Sequence, residues 1–187
     1  AAWTVECWVY FTETGWNDIF STGTYGQNNL TIRKNKISQR PDSPGSEQLE
    51  VDWNYTVIAS GGKFDLNTWH HMAVCRSSGG IAGTPFVSLF IDGIMVTRKK
   101  FDNQILANKV LIGGTHGNVY PMKGGIQDFI VYNVINKYTE NFVPPQRSML
   151  ASERNYTGIS GARTNSLSVT SSDTGSDRID CVLSNPN

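Results

Sequence analysis

An alternation of apolar and polar side chains with a period of two opens the chain and limits what it can fold into. Residues 3–11 read WTVECWVYF, and every second side chain from Trp3 to Phe11 is apolar. Successive side chains of a β-strand point to opposite faces, so this pattern predicts a strand with one face in a core. Trp8 and Tyr10 lie on the other face, which indicates that this face is covered too.

Short runs of the same kind follow, separated by turn-forming residues. Strands are predicted in DIFSTG, LTIRK, KISQR, LEVDWNYTVIA, WHHMAVCR, FVSLFI, IMVTRKK, KVLIGG and GGIQDFIVYNV. Asp92 and Gly93 separate two of these runs and are typical of a two-residue hairpin, because both tolerate positive φ. LEVDWNYTVIA is predicted to be one strand with a shared face made of Leu49, Val51, Trp53, Tyr55 and Val57.

Composition agrees with an all-β fold and excludes two classes of partner. Eighteen glycines and 17 per cent charged residues in 187 residues favour strands and turns over surface helices. The sixteen basic and sixteen acidic side chains cancel, so no charge excess predicts nucleic-acid binding. No apolar run reaches the roughly 20 residues of a membrane helix, and we expect no membrane insertion.

The chain divides by composition near residue 150. We predict a β-sandwich domain over residues 1–150 and a polar extension over residues 151–187, which is rich in Ser, Thr, Asn and Gly. SLSV and IDCVL are the strand-like pieces of the extension, which is predicted to be a linker or a strand donor. The abrupt start at Ala1 fits either a processed terminus or a truncation.

Five segments together resemble one family. TVECWVYF, NTWHHMAVCRSSGG, VSLFIDG, KVLIGG and GGIQDFIVYNVINKYTENFVPP are similar to the laminin-G-like branch of the concanavalin A-like jelly rolls. The resemblance implies an antiparallel, two-sheet jelly-roll sandwich. NKYTENFVPP looks most like the copies of this domain in bacteriophage tail, fibre and other virion structural proteins. The family's usual first strand is missing before TVECW, which implies an open edge for residues 151–187 or another chain to fill.

The adjacent histidines and the cysteines are interpreted as structural. Alternation puts His70 and His71 on opposite faces of one strand, so they cannot both bind one metal, and hydrogen-bonded imidazoles are the expectation. Cys7, Cys75 and Cys181 have no zinc or redox spacing. The first two are predicted to be buried free thiols.

Catalysis is not expected. The resemblance includes glucanases that carry acidic residues at alternate positions of one strand, and Glu50 and Asp52 have that spacing. Asn54 stands where a third carboxylate would donate a proton, and an amide cannot do so.

A glycan site is predicted from aromatic and amide side chains in loops, with core packing as the alternative for each aromatic. The candidate ligand-binding residues are Trp16, Asn17, Asp18, Tyr25, Asn28, His116, Asn118 and Tyr120. No cofactor is expected to be required. The resemblance implies that loop carboxylates can bind calcium, for which the candidates are Asp18, Asp42, Asp102 and Asp128.

These inferences predict a non-enzymatic module on a virion surface. It would decorate a capsid or serve tail or fibre adhesion, binding other virion proteins or itself through residues 151–187 and host-surface glycans through its loops. The alternative is an extracellular, secreted or cell-surface lectin-like domain, which predicts occupied glycosylation sequons at Asn29, Asn54 and Asn155. A glycan hydrolase is the third hypothesis.

Overall fold

Two antiparallel sheets of five strands form the protein, in a computed structural model that describes residues 1–22, 29–35, 47–79, 83–103, 105, 109–114 and 120–148. The first sheet has the order β10-β1-β6-β7-β8, and the second has the order β5-β4-β3-β2-β9. The strands are β1 (Trp3–Phe11), β2 (Asn17–Thr22), β3 (Leu30–Lys34), β4 (Leu49–Trp53), β5 (Thr56–Gly61), β6 (Trp69–Arg76), β7 (Phe86–Ile91), β8 (Ile94–Lys100), β9 (Val110–Ile112) and β10 (Gly124–Asn133). The predicted all-β sandwich is confirmed, while KISQR and residues 151–187 lie outside the described residues.

The alternation predicted in the first strand is the one that builds the core. Val5, Cys7, Val9 and Phe11 of β1 are buried between the sheets. Partners from the second sheet include Ile19, Leu30, Ile32, Leu49 and Val51, all essentially without exposed surface. Burial of one such side chain stabilises the fold by about 1.5–3 kcal/mol, so this two-sided apolar layer holds the sheets together.

The structure has one hairpin turn that the sequence predicts and one that it does not predict. The Asp92-Gly93 hairpin is confirmed, with φ of 50° and 77° between β7 and β8. The single strand predicted for LEVDWNYTVIA is wrong, because Asn54 and Tyr55 have φ of 48° and 66° and turn the chain between β4 and β5. Tyr55 is 58% exposed and does not share the face of Leu49.

A closing segment, residues 134–148, covers the outer face of the first sheet. Tyr138 and Phe142 stack with ring centres 3.5 Å apart, and both rings pack against Phe90 of β7. The Phe142 N–H donates to the carbonyl of Gly93, and the Asn141 side chain accepts from the Met95 N–H. The outer face of the first sheet is therefore covered at Phe90 and His71, whereas Trp8 and Tyr10 of β1 are half-buried.

The closing segment is also held by charge. Lys137 donates to Glu6 Oε1 over 2.5 Å and to the Tyr132 hydroxyl over 2.8 Å. Burial alone would lower the pKa of Lys137, but hydrogen bonds to Glu6, Tyr132 and Tyr138 outweigh burial and raise the pKa. Since Glu6 is almost fully buried in β1, Lys137 neutralises a carboxylate that water cannot reach.

The two described cysteines are buried free thiols, as predicted. Burial raises the pKa of Cys7 well above its usual value and raises the pKa of Cys75, so both stay protonated near neutral pH. Cys181 lies outside the described residues. No helix in the described part of the chain is long and apolar enough to span a membrane.

Candidate functional site

Two aromatic side chains form the accessible part of the candidate site. Trp16, just before β2, and Tyr120, before β10, have ring centres 5.7 Å apart and planes inclined by 33°. Tyr120 is 36% exposed and Trp16 is partly exposed. The fold thus brings together two predicted site residues that are far apart in sequence.

Buried polar groups hold this aromatic pair in position. The Asp18 N–H donates to the Tyr120 carbonyl over 2.9 Å, and the Asn17 side-chain oxygen accepts from the Lys123 N–H over 2.7 Å. The Asn17 amide also donates to the Gly15 carbonyl. Asn17 and Asp18 have no exposed surface, so their side chains position the loops and are not accessible from solvent.

Four predicted ligand residues cannot be located. Tyr25 and Asn28, and likewise His116 and Asn118, lie outside the described residues. Their assignment to a glycan site stays a prediction.

Arg33 connects the aromatic pair to three buried acidic side chains. Its guanidinium lies 5.1 Å from the centre of the Trp16 ring and donates to Asp52 over 2.7 Å, with Asp18 at 3.4 Å. Arg33 is also the cross-strand neighbour of Glu50. All four charged residues are at most 5% exposed, and Arg33 is the cation that pairs with two of the three carboxylates, Asp18 and Asp52.

Arg33 is not among the site residues that the sequence predicts, although the alternation indicates its face. In LTIRK, Leu30 and Ile32 alternate with Thr31 and Arg33, which puts the arginine on the face opposite the core. The pattern does not show which strands lie beside β3. Those strands, β2 and β4, supply the carboxylates of Asp18 and Asp52.

Glu50 and Asp52 share one face of β4, as predicted for the hydrolase alternative. Glu50 Oε2 accepts from the Asn35 amide over 3.2 Å, and Asp52 is paired with Arg33. Asn54 lies in the turn after the strand and not at a third position on it. A general acid must contact the oxygen of the leaving group, and these carboxylates contact protein groups instead.

His70 and His71 point to opposite sides of the first sheet, as predicted. His70 Nδ1 lies 2.7 Å from Asp92 Oδ2, and its Nε2 accepts from the Asp65 N–H over 3.1 Å. These two contacts fix the tautomer with a proton on Nδ1. His70 therefore ties the β7–β8 hairpin to the loop before β6, which is architecture and not metal chemistry.

His71 is buried on the other face, between the rings of Trp8 and Phe142. Burial lowers its pKa to about 4, even though the carboxylate of Glu6, 3.7 Å away, acts in the opposite direction. His71 is thus neutral at physiological pH and acts as a packing group.

The calcium candidates are dispersed. Asp18 contacts Arg33, Asp128 accepts two hydrogen bonds from Ser148, and Asp102 is exposed. Asp42 lies outside the described residues. Among the described residues, no three His, Cys, Asp or Glu side chains form a group able to hold a metal ion. Calcium binding by these carboxylates stays a prediction.

The family assignment agrees with this architecture. The family model described as the concanavalin A-like lectin/glucanases superfamily, of laminin-G type, matches residues 1–136. The chain belongs to this superfamily. No curated protein matches it. This superfamily domain has a fold of the carbohydrate-binding type, and membership alone does not choose between lectin and glucanase.

The chain is similar to one solved structure among others, domain 4 of AbnA, a GH43 extracellular arabinanase from Geobacillus stearothermophilus, in complex with arabinotriose. The sequence identity is 17%, the TM-score is 0.48, and the alignment covers 70% of this chain. The chain spans 59% of that structure's length.

Proposed function

We propose that this superfamily domain is a non-enzymatic glycan-binding module whose sugar contacts are made by Trp16 and Tyr120. The observation that supports this most is the aromatic pair itself, 5.7 Å between centres and partly open to solvent. The apolar face of a sugar ring packs against aromatic rings, and nearby polar groups select its hydroxyls.

Rigidity is the second argument for this site. Arg33 supports the Trp16 ring, and the Asp18 N–H holds the Tyr120 backbone. A ring that is already fixed loses little conformational freedom when a ligand stacks on it. Binding by preformed rings fits a module that recognises one sugar without rearranging.

The hydrolase hypothesis has weaker support than binding. The carboxylates of Glu50 and Asp52 are 3% and 5% exposed and contact Asn35 and Arg33. A glycosidic bond needs two carboxyl groups that flank it directly. Glu50 and Asp52 act in this proposal as the buried support of the aromatic pair.

We place the module on a virion surface, as the similarity of NKYTENFVPP to phage structural proteins implies. The extracellular lectin alternative loses one argument, because Asn29, the asparagine of its first sequon, is buried and donates to Thr31. Identification of this chain by mass spectrometry in purified virus particles tests the location; its absence from particles and presence in a cell-surface fraction contradicts it.

A glycan array followed by titration calorimetry tests the binding site. Trp16→Ala and Tyr120→Ala are expected to weaken binding of the best array glycan at least tenfold, about 1.4 kcal/mol. Tyr55→Ala, which removes an exposed aromatic from the β4–β5 turn, is the matched control and keeps wild-type affinity. Unchanged melting temperatures in all three variants exclude unfolding as the cause.

Two results overturn the proposal. One is wild-type affinity in both Trp16→Ala and Tyr120→Ala, or no binding of any glycan. The other is release of reducing ends from the array glycans by the unmodified protein, if both Glu50→Gln and Asp52→Asn abolish this release. That result establishes a hydrolase instead.

A further inference from the structure

An apolar cavity of about 480 Å³ lies between the sheets beside their edge strands β9 and β10. Its apolar wall is made of Val5, Phe20, Leu30, Ile105, Val110 and Val131. This volume is within the range of about 300–1,000 Å³ typical of ligand pockets, so several apolar side chains fit into it.

The cavity lies beside strand edges that have no partner in the described part of the chain. In the described part of the chain, β10 pairs only with β1, and β9 pairs only with β2, which leaves one edge of each open. Val110 and Val131 on these edges are 53% and 46% exposed. Open edges with apolar side chains recruit a further strand, from the same chain or another.

Arg76 shows that the cavity wall also needs a hydrogen-bond acceptor. It lines the cavity and is only 7% exposed, and its guanidinium donates to the carbonyls of Ala1 and Asn103. Its Nε, however, has no partner among the described residues. A buried donor without an acceptor destabilises the fold, and the carbonyl of an inserted strand would supply the missing acceptor.

The chain itself continues from a point near the cavity. Ser148 donates its N–H and hydroxyl to Asp128, over 2.7 and 2.6 Å. Asp128 has φ of 49° and lies at the β-bulge of β10, three positions before Val131 of the cavity wall. Residues 149–187 therefore begin beside the strand whose edge is open.

Of the two strand-like pieces of the extension, SLSV and IDCVL, only IDCVL has three apolar side chains on one face. After the polar residues 151–178 comes IDCVL, residues 179–183, in which Ile179, Cys181 and Leu183 share one face of a strand. About thirty residues separate Ser148 from IDCVL. An extended chain of that length spans much more than the distance from Asp128 to the cavity, which is a few strand positions. The linker length thus permits insertion into the chain's own sandwich.

We propose that residues 179–183 add a strand at the open side of the sandwich of their own chain and insert Ile179, Cys181 and Leu183 into the cavity. The open side of the sandwich is then covered by the C-terminal end of the same chain. This inference does not depend on glycan binding, because Trp16 and Tyr120 do not line the cavity.

Disulfide trapping in the full chain tests the insertion with its own thiol. Val110→Cys and Val131→Cys each place a thiol on the cavity rim for pairing with Cys181. Ile94→Cys, 54% exposed on β8 at the opposite edge of the first sheet, is the control. Cys7 and Cys75 are buried and do not compete.

The expected result is a monomeric, intramolecular disulfide to Cys181 in at least one rim variant, formed at least tenfold faster than in Ile94→Cys. Peptide mapping and non-reducing gels distinguish the products. Equal rates in all three variants, or no link in either rim variant, overturn the proposal. Disulfide-linked dimers overturn it in favour of insertion into a second copy.

Thiol protection gives an independent test. In the otherwise native chain, Ile179→Asp with Leu183→Asp is expected to speed modification of Cys181 by a water-soluble disulfide reagent at least tenfold. Cys181 that reacts at the rate of a free peptide thiol in the unmodified protein overturns the insertion.

Discussion

The guanidinium of Arg33 lies over the ring of Trp16, 5.1 Å from its centre, while it donates to Asp52 over 2.7 Å. One buried cation therefore contacts Trp16 of the aromatic pair and pairs with the buried carboxylates of Asp18 and Asp52. The proposed glycan site and the stability of this sheet depend on the same residue.

Replacement of Arg33 is the first test of this dependence. Arg33→Met leaves the buried carboxylates of Asp18 and Asp52 without their shared cation, and we expect a loss of about 3–5 kcal/mol in the free energy of unfolding. Urea unfolding measures it. Arg98→Met is the control, because Arg98 is exposed over the Phe86 ring and its loss costs about 0.5–1 kcal/mol. Equal losses in the two variants contradict the role of Arg33.

The pH dependence of stability reports on His71. Its pKa is about 4 in the folded protein and 6.5 ordinarily, so the unfolded chain binds more protons between these values. Stability therefore rises with pH across this window and is lost as pH falls, by about 2 kcal/mol between pH 7 and pH 5. His71→Phe, which keeps a ring against Trp8, is expected to remove this part of the loss in urea titrations. An unchanged pH slope contradicts it.

Gly93 is needed for the docking of the closing segment. A methyl group at this position would overlap the carbonyl oxygen of Phe142, and φ is 77°. Gly93→Ala is expected to destabilise by about 1–3 kcal/mol more than Gly15→Ala, where φ is 112° but no atom lies within 4 Å. Thermal unfolding of both variants separates steric overlap from backbone strain, and equal melting temperatures exclude overlap.

The contact of Lys137 with Glu6 is tested by a double-mutant cycle. Lys137→Met leaves Glu6 as a buried charge and should cost about 3 kcal/mol, although the Tyr132 hydroxyl still donates to the carboxylate. Glu6→Gln in the same chain should recover most of that loss, because no buried charge remains. Additive effects of the two changes in chemical denaturation would show that the residues do not interact.

Local patterns in the sequence predicted the strands well and one of the turns poorly. Alternation identified β1 and β6, and the Asp-Gly pair identified the β7–β8 hairpin. The sequence predicts no turn at Asn54 and Tyr55, because tyrosine rarely adopts positive φ and the alternation of apolar and polar residues continues through both positions. Tertiary pairing of β4 with β5 decided the outcome.

The candidate site was predictable only in part. Trp16 and Tyr120 were selected by residue type and loop position, but nothing in their spacing shows that the rings lie side by side. The sequence does not predict Arg33 as a site residue, because the residues next to a single arginine in a strand do not show which carboxylates surround it in the fold.

Local sequence is sufficient to predict that the chain forms β-strands, which side chains of β1 enter the core, and that His70 and His71 point apart. Those properties follow from the period of two, which is fixed by the geometry of each strand alone. Local sequence does not predict that Asp18, Arg33 and Asp52 share one charge cluster or that Trp16 lies beside Tyr120. These contacts join residues of different strands and loops, and their pairing depends on the order of strands in the sheet, which no local pattern specifies.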